Sequence, residues 1–63
     1  MSEGLKISVQ RAVSRSFDRF AESMDRYVLE DYTTNEAVTA ELHRQGFIDF
    51  ADMWESYLAE RDD

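Results

Sequence analysis

The sequence predicts a mainly α protein: a short N-terminal strand followed by two or three helices, paired into an intertwined homodimer, with an all-α three-helix chain as the alternative. Three observations carry this. The stretch from Phe47 to Leu58, FIDFADMWESYL, places Phe47, Phe50, Met53, Trp54, Tyr57 and Leu58 within an arc of roughly 140° at helical spacing, wider than the roughly 100° stripe one core face needs. Leu5, Ile7 and Val9 alternate with Lys6, Ser8 and Gln10, the period of a half-buried strand. The chain has 63 residues and no Cys, too little for a large core and without disulfides to compensate, which points to a second subunit.

Each element follows in order. Residues 5–10 read as the strand, and because a lone strand leaves its backbone groups unpaired, its partner is expected to be the same strand of another copy. Val9, Val13, Phe17, Phe20, Met24, Tyr27 and Val28 fall on one face of a helix about five turns long. Thr33-Thr34-Asn35-Glu36 fits a capping box, with a Thr hydroxyl accepting from the backbone three residues on and Glu36 reaching back. The helix that starts there turns Ala37, Val38 and Leu42 inward and stops at Gly46. Asp49 is the expected cap of the next segment, flanked by Ile48 and Met53 as a hydrophobic staple, so the C-terminal half is either one helix kinked at Gly46 or two. All 63 residues form a single interaction domain.

Charge narrows the function. Fourteen acids face seven Lys and Arg, for a net −7. Residues 33–63 hold eight of the acids and only two of the basic groups. Such a chain repels nucleic acid at long range, which disfavours it as a partner. No apolar run approaches a membrane span and no leader pattern is visible, so a cytoplasmic protein is expected. Against this acidity, Arg11, Arg15, Arg19 and Arg26 line one side of the first helix, a stripe of like charge that a helix does not need for its own stability. With Lys6, the residues Arg11, Arg15 and Arg19 make up the alternative, nucleic-acid-binding face.

Catalytic equipment is sparse. His43 is alone and lacks zinc-site spacing, the serines have no evident base, Asp49 and Asp52 suit the first turn of a helix, and two glycines build no phosphate loop. No cofactor, metal or enzymatic activity is expected. The residues assigned to a dimer core are Phe17, Phe20, Met24, Phe47, Trp54 and Leu58. Those assigned to a partner-binding cleft for an amphipathic helix are Phe50, Met53, Trp54 and Tyr57.

Two families share features with this chain. Its size, acidity, lack of Cys and Pro, and the aromatic tail from Gly46-Phe47 to Trp54-x-x-Tyr57-Leu58 resemble the small early proteins encoded between the exonuclease and excisionase genes of lambdoid phages. That resemblance implies a dimeric, non-enzymatic protein that acts on the host and favours lytic development. Leu5, Ile7 and Val9 inward with Lys6, Ser8 and Gln10 outward, ahead of helices, resemble the ribbon-helix-helix DNA-binding dimers. This second resemblance implies that Lys6, Ser8 and Gln10 read bases in a repressor or antitoxin.

Overall fold

In the computed structural model, which describes residues 2–61, the chain forms four helices: α1 (Ser2–Val13), α2 (Phe17–Leu29), α3 (Asn35–Gln45) and α4 (Ile48–Arg61). The predicted strand at residues 5–10 is corrected: it is the middle of α1. Leu5 and Val9 lie four apart, so they satisfy both the strand and the helix period, and both are buried. Ile7 separates the two readings, since a strand would turn it inward with its neighbours, and it is 49% exposed. The inward face of α1 is Leu5, Val9 and Ala12, at helical spacing.

The expected five-turn helix is two. The Ser14 hydroxyl donates to the Arg11 carbonyl at 2.7 Å, and Ser16 then caps α2, its side chain accepting from the Arg19 N–H at 3.4 Å with Asp18 in the first turn. Apolar residues keep one helical phase across this break, so periodicity could not reveal it.

The C-terminal half follows the sequence signals more closely. Thr34 caps α3, its hydroxyl accepting from the Ala37 N–H at 3.2 Å. Glu36 therefore falls at the second helical position, one short of the place from which it would answer the cap. Gly46 takes a left-handed φ of 86°; its N–H bonds to the His43 carbonyl and that of Phe47 to Leu42, which closes a Schellman turn. The two C-terminal segments are separate helices. Asp49 is not the second cap: the Phe47 carbonyl accepts from Ala51, so α4 begins two residues earlier and Asp49 sits in its first turn. Ile48 and Met53 are both exposed rather than joined as a staple.

Helix α1 packs on α2 and α3, and α4 packs on α2 and α3, so the four close a circuit around one core. That core is Leu5, Val9, Ala12, Phe20, Ala21, Met24, Val38, Leu42, Ala51 and Trp54. Phe20 and Trp54 are 0% exposed and Met24 1% within a single copy, so none of the three requires a second subunit to cover it. The Cα radius of gyration is 10.5 Å, equal to the roughly 10–11 Å of a self-contained domain this long. Among the described residues no helix is long and apolar enough to cross a membrane.

Candidate functional site

The aromatic residues singled out from the sequence do come together, but in two environments. Trp54 is the centre of the core, edge-on to Phe20 at 5.5 Å between ring centroids and stacked near Tyr57 at 5.5 Å. Its complete burial removes it from any cleft. Phe50 is half-buried, packed edge-on against Phe17 at 5.7 Å and Phe20 at 5.4 Å. Phe17 in turn meets Tyr57 at 6.0 Å. These T-shaped contacts add roughly 0.5–1.5 kcal/mol each beyond the area they bury, enough to fix the rings at the border of the core. Phe47 and Leu58, assigned to a dimer core, also lie half-buried against it.

Beyond that border the surface opens. Phe17, Met53 and Tyr57, with Asp52, Ser56 and Glu60, line a shallow hollow of about 360 Å³ between α2 and α4. Met53 is 44% exposed, the far margin of the arc that begins at Leu58 and passes through Trp54. The hollow has an apolar floor and two carboxylates at its rim.

A polar clip that the sequence reading missed holds its lower end. The Tyr57 hydroxyl and the Arg61 guanidinium both donate to the carboxylate of Asp25, joining α4 to α2, and Arg61 lies 5.4 Å from the centre of the Tyr57 ring. The bond to Asp25 raises the Tyr57 pKa above the ordinary phenol value, with burial and the Asp25 charge adding to it and the nearby Arg61 opposing. Asp25 lies 32 positions from Tyr57, and no local pattern joins them. A second polar tie links α3 to α1. Buried Glu41 pairs with Arg44 at 3.2 Å and accepts from Gln45, whose amide also donates to the Lys6 carbonyl.

The residues of the expected nucleic-acid face are divided. Lys6 and Arg11 are exposed on α1, Arg15 lies in the break, and Arg19 is exposed on α2. Arg11 and Arg15 share one hollow, Arg15, Arg19 and Arg26 another, and Lys6 lines neither. With residues 5–10 helical there is no ribbon for Lys6, Ser8 and Gln10 to present to bases, so the ribbon-helix-helix reading loses its recognition element. Among the described residues no group of three His, Cys, Asp or Glu is placed to hold a metal ion, and His43 is exposed in the last turn of α3. Neither a protein-family model, a curated protein nor a solved structure matches the chain.

Proposed function

We propose that this protein is a non-enzymatic interaction module whose hollow between α2 and α4 receives a basic amphipathic helix from a partner protein. The observation that supports it is Met53, a flexible apolar side chain 44% exposed beside the half-buried rings of Phe17 and Tyr57. Methionine adapts to the shape of an incoming apolar side chain, and Tyr57 offers a rigid ring with a polar end already anchored by Asp25. Asp52 and Glu60, which line the hollow, with Asp49 exposed one turn before Met53, select a partner carrying Lys or Arg around its apolar stripe. The resemblance to small phage early proteins extends the proposal: the partner is a host protein, met in the host cytoplasm, whose capture favours lytic development.

Titration of the protein with an amphipathic Leu/Lys helical peptide, followed by amide NMR, tests this reading. Shifts concentrated at Phe17, Met53, Ser56 and Tyr57, and a loss of about tenfold or more in affinity on Met53→Glu, are expected. Equal affinity of the wild type and Met53→Glu, or shifts confined to other faces, would overturn it.

A further inference from the structure

The arginine side of α2 holds a second hollow, about 320 Å³, that shares no lining residue with the first. Arg15, Arg19 and Arg26 line it together with Tyr27 and Tyr32, and Glu22 and Glu30 complete the wall. In a chain with 14 acids, the two ion pairs among the described residues belong to Arg44 and Arg61; Arg15, Arg19 and Arg26 enter neither. Glu22 lies within one turn of both Arg19 and Arg26 and still pairs with neither. Arg19 and Arg26 are seven residues apart on one helix, so their stems emerge on one side roughly 10 Å apart along the axis. Tyr32 is 67% exposed, its ring 5.3 Å from that of Tyr27 and tilted by 43°, a flat phenol surface at the mouth of a basic hollow.

We infer that this hollow binds a small phosphate ester bearing a flat aromatic group, the chemistry of a nucleoside mono- or diphosphate. Guanidinium forks recognise phosphate oxygens in pairs, a phenol ring accepts a base on its face, and Glu22 and Glu30 accept from sugar hydroxyls or base amino groups. The volume lies at the lower end of the range for small-molecule sites. A polymer is disfavoured, because a long polyanion experiences the chain's net −7 charge while a ligand with two or three charges meets chiefly the local arginines.

The test is an amide NMR titration at low ionic strength with ADP, inorganic phosphate, adenosine and a single-stranded oligonucleotide, on the wild type, on Arg19→Gln/Arg26→Gln and on Tyr32→Ala. All three replaced residues are exposed, and unchanged spectra away from the hollow confirm that each variant folds. Saturable ADP shifts at Arg19, Ser23, Tyr27 and Tyr32 are expected. The double arginine variant should weaken ADP by about tenfold or more, and Tyr32→Ala should weaken ADP a few-fold while leaving inorganic phosphate unchanged. Absence of saturable shifts up to about 5 mM ADP would overturn the inference, as would equal responses to ADP and inorganic phosphate. An oligonucleotide that binds more tightly than ADP and is lost steeply with salt would overturn it in favour of a polymer.

Discussion

Met53 and Trp54 are neighbours in sequence on one helix, and their surroundings are opposite. Trp54 is fully buried in the core, edge-on to Phe20, whereas Met53 stands 44% exposed at the edge of the same apolar arc. The difference is one of angle. The buried side of α4 runs through Ala51 and Trp54, and the arc continues past Phe50 and Tyr57 to Met53, beyond the reach of α2 and α3. A four-helix chain of this size has enough neighbouring helix to cover a core stripe and not enough to cover the whole arc. One side of α4 holds the fold together while its flank, at Met53, stays exposed.

The strongest way to break this comparison is at its buried member. Trp54→Ala removes the largest fully buried side chain, and aromatic-to-alanine changes in cores cost about 3–5 kcal/mol. That is most or all of the stability of so short a chain, so a largely unfolded circular dichroism spectrum at 25 °C is expected. Trp54→Phe should lose less, because the indole Nε1 is buried without a hydrogen-bond partner and the smaller ring removes that orphan donor along with the area.

The angle at which α4 leaves α3 comes next. Gly46 has open space where a Cβ would stand, so Gly46→Ala should cost about 1 kcal/mol from the left-handed backbone alone, read as a shift of the urea midpoint at unchanged slope. A much larger loss would mean that packing around the turn, rather than its φ, orients α4.

The clip sharpens the flank. Because the folded-state pKa of Tyr57 is raised, its contribution is fully present below the ordinary phenol pKa and is lost as pH rises through the raised value. Thermal melts between about pH 8 and 11 should therefore show the wild-type advantage over Tyr57→Phe shrinking toward the alkaline end, from about 1 kcal/mol or less at neutral pH. A difference near zero across the whole range would show that Tyr57 holds α4 through its ring alone, since Tyr57→Phe keeps the ring and removes only the hydroxyl bonded to Asp25. The smallest expected effect on stability is at Met53, where Met53→Glu should change the unfolding free energy by no more than about 0.5 kcal/mol while weakening peptide capture.

What could be read from the sequence divides along physical lines. The start of α3 at Thr34 and its end at Gly46 were legible because a hydroxyl cap and a left-handed glycine act over three or four residues. Burial of Val9, Phe20, Met24, Leu42 and Trp54 was legible because helical spacing places them inward. The strand at 5–10 failed because two residues four apart suit both periods, and the Ser14–Ser16 break was hidden because the apolar phase runs straight through it. At the end of α2, Asp31 takes a left-handed φ of 64°, and the N–H groups of Asp31 and Tyr32 close the same kind of turn as at Gly46; looking only for glycine missed it. The Asp25–Tyr57–Arg61 clip depends on the approach of two helices distant in sequence, which no local pattern carries. The wide aromatic arc was expected to exceed what one copy can cover; within a single copy Trp54 is buried, Phe47, Phe50, Tyr57 and Leu58 are half-buried, and Met53 is exposed.

The most direct measurement of that central claim is the thermal midpoint of the protein followed by Trp54 fluorescence over about a hundredfold range of concentration. A self-contained core predicts a blue-shifted folded emission and a midpoint independent of concentration. A midpoint that climbs by several degrees with concentration would contradict it, placing Trp54 in a core that two copies must build together.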